Sequence, residues 1–162
     1  MNEKKQVLKF YIETYGCQMN KYDSELVASI LQDLGYRQAA NKNDASLLLV
    51  NTCSVRETAE TRALGRLGAL NEIKRRNPDV IIGVLGCMEQ RIGRQILDEK
   101  SFVNFALGPD DYRQLPDILK QIQREGGKYQ EFRTDVTDFE DYANIYPARV
   151  PGVSAWVAIM RG

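Results

Sequence analysis

Residues 46–50 read SLLLV and residues 80–85 read VIIGVL, and these two stretches decide the fold class. Both are almost continuously apolar, which is typical of strands that are covered on both faces in a parallel sheet. Residues 7–13 and 102–107 are two further apolar stretches bounded by turn signals. The sequence therefore predicts four strands, of which the two quoted ones are central.

Amphipathic stretches with helical spacing lie between and after these strands, at 23–35, 54–76, 89–97 and 116–126. Ser54 and Glu57 fit a capping box at the start of the second stretch. Alternating strands and helices of this length indicate right-handed crossovers. The predicted fold is α/β, with an open, mostly parallel, flavodoxin-like or Rossmann-like sheet and helices on both faces.

The predicted α/β domain covers residues 1–127. Residues 128–152 are polar, acidic and interrupted by proline, which predicts a linker or arm. Residues 153–162 begin with another strand pattern that stops abruptly. We therefore expect the chain to have been cut out of a longer protein.

Composition excludes several classes of protein. The 22 basic and 22 acidic residues give zero formal net charge, so the chain as a whole does not attract nucleic acid. It has no apolar run near the ~20 residues that a membrane span needs, and its apolar amino-terminal stretch is too short for a signal peptide. Three cysteines cannot all pair within one chain, so we expect a reducing cytoplasm and no membrane partner.

Each cysteine follows a predicted strand and precedes a predicted helix. In parallel strands Cys17, Cys53 and Cys87 would emerge at the same carboxyl edge, where open α/β sheets bind ligands. In the strand order 2-1-3-4, Cys17 would lie between the other two. Helix amino termini lower the pKa of nearby thiols, and Cys53 is the best placed for this.

The absence of histidine restricts metal binding to sulfur or carboxylate ligands. Three thiolates suit an iron–sulfur cluster better than zinc, because structural zinc usually has four ligands. A cubane with three protein ligands leaves one iron open to an exogenous ligand such as a sulfur species. Gly16 and Gly86, each directly before a cysteine, allow the backbone to approach a bulky group closely.

Two other classes of function stay open at this point. One is a nucleotide-binding or flavin-binding module, although the chain has no GxGxxG or GxxxxGK loop. The other is a metal-free sulfurtransferase that passes persulfide between cysteines. A single cysteine is most often a small buried hydrophobic residue, but three at equivalent positions favour a site.

The strings YGCQMN (15–20), NTCSVRE (51–57) and GCMEQR (86–91) resemble the three cysteine motifs of the amino-terminal domain of the methylthiotransferases. These are radical S-adenosylmethionine enzymes, and the similarity covers residues 7–162. Gln18 and Met19 after the first cysteine are typical of the branch that modifies tRNA.

The resemblance implies an auxiliary [4Fe-4S] cluster on Cys17, Cys53 and Cys87, whose open iron takes a sulfur species that is methylated. A second [4Fe-4S] cluster, in a following barrel domain, would cleave S-adenosylmethionine and activate C2 of an isopentenylated adenosine beside the tRNA anticodon. Residues 153–162 would be the first strand of that barrel. The chain ends before the second cluster motif, so it would contain no catalytic residue and be catalytically incomplete.

Other polar residues are weaker candidates. Asn20 and Asn51 flank the cysteines and would either bond to cluster sulfur or cap a helix. Basic residues on the second predicted helix would contact tRNA phosphates or only face solvent; they are Arg62, Arg66, Lys74, Arg75 and Arg76.

Overall fold

The structure is a computed structural model that describes residues 7–53, 57–126, 131–133, 142, 144–149 and 157. Within these residues six parallel strands form one sheet. They are β1 (Lys9–Tyr15), β2 (Arg37–Gln38), β3 (Leu47–Thr52), β4 (Ile81–Leu85), β5 (Phe105–Leu107) and β6 (Glu131–Arg133). All residues of β3 and β4 are buried, as their apolar runs predict.

The strand order is β2-β1-β3-β4-β5-β6. The short strand β2 pairs with β1 on the side where the strand at residues 46–50 was expected. That strand is β3, and it pairs with β1 on the other side. The expectation that Cys17 lies between the other two cysteines is therefore wrong, because β3, which precedes Cys53, pairs with β1 on one side and β4 on the other. Once β2 is counted, the first five strands have the flavodoxin-like order 2-1-3-4-5.

In the described part of the chain, four helices cover the sheet: α1 (Gln18–Asp33), α2 (Glu57–Arg76), α3 (Cys87–Glu99) and α4 (Leu115–Glu125). One buried cluster joins α1 and α4 to one face of the sheet, and a second joins α2 and α3 to the other. Short 3₁₀ turns lie at Lys42–Asp44 and Tyr112–Gln114. The predicted open α/β architecture with helices on both faces is confirmed.

The helix boundaries differ from the predicted ones mainly at the cysteines. Helix α1 begins at Gln18 rather than at residue 23, and α3 begins at Cys87 rather than at residue 89, because both helices start as soon as the preceding strand ends. Helix α4 ends at Gly126, whose φ of 73° provides the expected left-handed stop. The predicted capping box lies outside the described residues, since 54–56 are not among them.

The region predicted as a linker contains the short strand β6, which pairs with β5. Tyr142, further along, is buried against Tyr112. The strand predicted within 153–162 lies outside the described residues apart from Val157, which is exposed. Among the helices that the structure describes, none has both the length and the apolar character needed to cross a membrane.

Candidate metal centre at the carboxyl edge of the sheet

The three cysteines follow three neighbouring strands. Cys17 comes two residues after β1, Cys53 directly after β3 and Cys87 two residues after β4. Because the strands are parallel, all three cysteines lie at the carboxyl edge of the sheet, with Cys53 in the middle. Cys53 is buried, the other two are partly exposed, and none forms a disulfide.

The backbone brings the first two cysteine loops into contact at Gly16. A Cβ atom added there would lie 2.7 Å from the Cβ of Cys53 and 2.4 Å from Oδ1 of Asn20. The N–H of Cys53 donates to the carbonyl of Tyr15 at 3.2 Å. A side chain at position 16 would therefore push the loop of Cys17 away from Cys53.

The third cysteine loop packs against the second through Gly86, whose φ is 101°. A Cβ atom at this position would lie 2.3 Å from the carbonyl oxygen of Thr52 and 2.6 Å from Oδ1 of Asn51. Only glycine combines this backbone conformation with this clearance. The close approaches expected at Gly16 and Gly86 are thus present, and in both the neighbour is another cysteine loop.

Asn20 and Asn51 join the turn at Cys17 to the end of β3. The Oδ1 atom of Asn20 accepts hydrogen bonds from the N–H of Cys17 at 3.1 Å and from its thiol at 3.3 Å. The Asn20 amide donates to Asn51 Oδ1 at 3.0 Å, and the Asn51 amide donates to the carbonyl of Asn20 and to Ser24 Oγ, both at 2.9 Å. Because both asparagines are buried, these bonds hold the two loops together.

The electrostatics at Cys87 differ from the expectation for a helix amino terminus. Burial raises the pKa of the Cys87 thiol, and the negative charge of Asp23 and the neighbouring thiols Cys53 and Cys17 raise it further. The predicted lowering of thiol pKa is therefore wrong at Cys87, because desolvation and like charges outweigh the helix dipole. Asp23, Cys53 and Cys17 thus all lie near enough to Cys87 to act on its thiol.

Buried acidic residues adjoin this edge. Asp23 of α1 is 2% exposed and accepts a hydrogen bond from the Tyr112 hydroxyl at 3.3 Å. Glu89 is fully buried, and among the described residues neither of its carboxyl oxygens has a hydrogen-bond partner. Burial and the charge of Asp111 raise the pKa of Glu89 to about 8. No role is predicted for Asp23 from the sequence, although this residue lies one helical turn after Asn20 and so on the same face of α1.

The three thiols provide a donor set for a metal centre without histidine. In the described part of the chain, no three Cys, Asp or Glu side chains come close enough together to hold a single metal ion. A cubane makes a different demand, since each cysteine binds its own iron and the three sulfurs stand further apart. Three thiols around glycine-lined loops, with no histidine in the chain, fit an iron–sulfur cluster better than an ion.

The basic residues of α2 are not gathered at the cysteines. Arg66 donates from Nε and Nη2 to the buried carboxylate of Glu13 on β1. Lys74 donates to Asn104, and Arg75 pairs with the exposed Glu72. The remaining two, Arg62 and Arg76, are exposed.

Lys74, Arg75 and Arg76 form the last turn of α2. This helix runs from the end of β3 to the start of β4, so its last turn lies towards the amino edge of the sheet, away from the cysteines. Of the five basic candidates, Arg66 and Lys74 form hydrogen bonds to other elements of the domain.

A family model described as uncharacterized protein family UPF0004 matches residues 9–108, which include β1 to β5 and all three cysteines. The chain belongs to this family. This match, together with the curated relatives of the chain, confirms the resemblance to the amino-terminal domain of the methylthiotransferases.

Relatives from Chloroherpeton thalassium, Amoebophilus asiaticus and Flavobacterium johnsoniae are each named tRNA-2-methylthio-N(6)-dimethylallyladenosine synthase. This chain is 44%, 43% and 42% identical to them over 97%, 94% and 99% of its own length. It covers 34%, 31% and 33% of theirs. The chain thus spans about a third of the length of the curated relatives it matches.

Proposed function

We propose that this chain is the auxiliary-cluster domain of a tRNA methylthiotransferase, with Cys17, Cys53 and Cys87 as the ligands of a [4Fe-4S] cluster. The observation that carries the proposal is the position of the three cysteines after three adjacent parallel strands, in loops that touch each other at glycines. The names of the relatives support the reaction class.

Residues around the three cysteines hold their loops close together, as a shared ligand requires. Gly16 and Gly86 let the loops approach, and the buried Asn20–Asn51 pair fixes the loop of Cys17 to β3. When bound, a cluster with three protein ligands supplies one open iron that acts as a Lewis acid towards a sulfur species. Partial exposure of Cys17 and Cys87 leaves access for that species.

The remaining parts of the reaction belong to the whole enzyme. We propose that S-adenosylmethionine and a second [4Fe-4S] cluster are bound by further domains of the kind that make up the rest of the relatives' length. The tRNA substrate is an N6-isopentenyl-adenosine next to the anticodon, which receives a methylthio group at C2. A cytoplasmic location suits three cysteines that form no disulfide.

Iron and sulfide analysis after anaerobic reconstitution tests the cluster. We expect about four irons per wild-type chain and loss of most of this iron in each of Cys17→Ala, Cys53→Ala and Cys87→Ala. The control is Asn43→Ala. Asn43 is exposed in the 3₁₀ turn before β3, at the opposite edge of the sheet from the cysteines. This variant is expected to keep the wild-type iron content.

Three results contradict the proposal. Full iron content in any one cysteine variant removes that residue as a ligand. A flavin absorption spectrum in the purified chain would support a flavin-binding module instead. Sulfane sulfur on the cysteines without any iron would support a persulfide sulfurtransferase.

A further inference from the structure

Asp23 and Tyr112 form a buried bridge beside the three cysteines. Asp23 lies in the second turn of α1, and its neighbour one turn earlier, Asn20, is hydrogen-bonded to Cys17. Tyr112 is fully buried in the 3₁₀ turn that follows β5, and its hydroxyl donates to Asp23 Oδ2 at 3.3 Å. The bridge thus joins the helix after β1 to the loop after β5.

The strand order places this bridge across the candidate site. Between β1 and β5 the sheet contains β3 and β4, whose ends carry Cys53 and Cys87. The bridge lies on the α1 and α4 face, since Tyr112 belongs to the buried cluster of that face. Asp23 therefore lies buried beside the carboxyl ends of β3 and β4, on the α1 and α4 face of the sheet.

We propose that Asp23, positioned by Tyr112, lowers the reduction potential of the cluster held by the three cysteines. This inference rests on the proposed function, because it requires the cluster. Adding an electron to a cluster increases its negative charge, and a carboxylate with 2% exposure is screened poorly by water. Asp23 thereby favours the oxidised cluster, whose open iron acts as a Lewis acid towards a sulfur species.

The test compares the chain reconstituted anaerobically as wild type, Asp23→Asn and Asp23→Glu. Each is titrated with a chemical reductant while the EPR signal of the reduced cluster is followed. At the solution potential that half-reduces the wild type, we expect at least a threefold higher ratio of reduced to oxidised cluster in Asp23→Asn. Asp23→Glu keeps the charge and is expected to stay close to wild type.

Asp33→Asn is the matched control, since Asp33 is exposed at the far end of the same helix. It is expected to leave the ratio unchanged. Asp23→Ser is a second neutral variant, expected to behave like Asp23→Asn and used if the latter does not fold. Far-UV circular dichroism and iron content are measured for every sample.

The outcomes separate this inference from the proposed function. A neutral variant that holds its cluster with an unchanged ratio overturns the role of Asp23. An equal rise in Asp23→Glu overturns it as well, because the charge would then not be the cause. A wild-type chain that binds no iron overturns the proposed function itself.

Discussion

Gly86 is the residue whose backbone conformation matters most for the candidate site. Its φ of 101° and the 2.3 Å between an added Cβ and the carbonyl of Thr52 leave no room for a side chain. The contact is with backbone, which cannot rotate away. The loop of Cys87 therefore depends on this glycine for its position beside Cys53.

Replacing Gly86 by alanine is expected to destabilise the domain by about 2 kcal/mol or more, through backbone strain and displacement of the loop. Urea unfolding of the metal-free chain measures this effect. Iron content after reconstitution is expected to fall too, because Cys87 moves with the loop.

Gly65 is the matched control for this change. It lies on the exposed side of α2, and no atom of the described residues lies within 4 Å of an added Cβ. Gly65→Ala is expected to stabilise the chain by roughly 0.5–1 kcal/mol, because alanine favours helix more than glycine does. Equal effects of the two substitutions would contradict the assigned role of Gly86.

The positions of the cysteines and of Gly16 and Gly86 were predictable because their signal is local: each follows an apolar run and precedes a helical pattern. The role of Asp23 was not predictable in this way. Its partner Tyr112 lies 89 positions further along the chain, and only the fold brings them together. The raised pKa at Cys87 was missed for the same reason, since burial depends on elements distant in sequence.

At the scale of elements, β1 is tied to α2 by one charged cluster. Both carboxyl oxygens of Glu13 accept hydrogen bonds from Arg66, and the Tyr15 hydroxyl donates to the same carboxylate. Glu13 is 8% exposed and the Arg66 side chain 36%, so the pair is screened much less than a surface ion pair.

Arg66→Ala is expected to destabilise the domain by about 2 kcal/mol, because it leaves a buried carboxylate with fewer donors. Arg75→Ala is the matched control on the same helix. It breaks only the exposed pair with Glu72 and is expected to cost no more than about 0.5 kcal/mol. Thermal or urea unfolding at neutral pH compares the two, and an equal cost would show that the Glu13 pair contributes no more than a surface pair.

The same cluster predicts a pH dependence. Burial raises the pKa of Glu13, but the hydrogen bonds and charge of Arg66, with the Tyr15 hydroxyl, outweigh it and bring the pKa below its ordinary value of 4.5. A lowered pKa in the folded state stabilises the fold above the ordinary value and loses that effect as the pH falls through the folded pKa. The stability difference between wild type and Glu13→Gln is therefore expected to be constant near neutral pH and to shrink below about pH 4.5. A difference that persists unchanged at about pH 3 would contradict this assignment.

The element pattern also explains which strands the sequence analysis missed. Strand β2 has two residues, both exposed, and β6 has three, so neither contains the apolar run that identifies a buried strand. The long helices and the central strands were predictable because their periodicity extends over many residues. The wrong position of Cys17 in the strand order follows directly from missing β2.

At the scale of the whole molecule, Tyr142, which follows β6 in the chain, is bonded to the loop after β5 at the carboxyl edge of the sheet. Its hydroxyl accepts a hydrogen bond from the N–H of Tyr112 at 3.0 Å and donates to the carbonyl of Pro109 at 2.9 Å. Further on, the N–H of Ala148 donates to the carbonyl of Glu25 on α1. The residues after β6 thus help to hold the loop that carries Tyr112.

Tyr142→Phe removes only this hydroxyl and is expected to cost about 1–2 kcal/mol, because the buried N–H of Tyr112 and the partly buried carbonyl of Pro109 each lose this hydrogen bond. Urea unfolding should show a lower midpoint with an unchanged slope. Tyr146→Phe is the control, since Tyr146 is 84% exposed and is expected to leave the midpoint unchanged. A midpoint that does not move in Tyr142→Phe would show that water replaces the hydroxyl at no cost.

Within the described residues, the short strands β2 and β6 form the two lateral edges of the sheet. Unpaired N–H and C=O groups along a sheet side can template the addition of a foreign chain, which leads to fibrils. Strands of two and three residues offer such a template almost no length. We therefore expect the described part of the sheet to resist strand addition at these two edges.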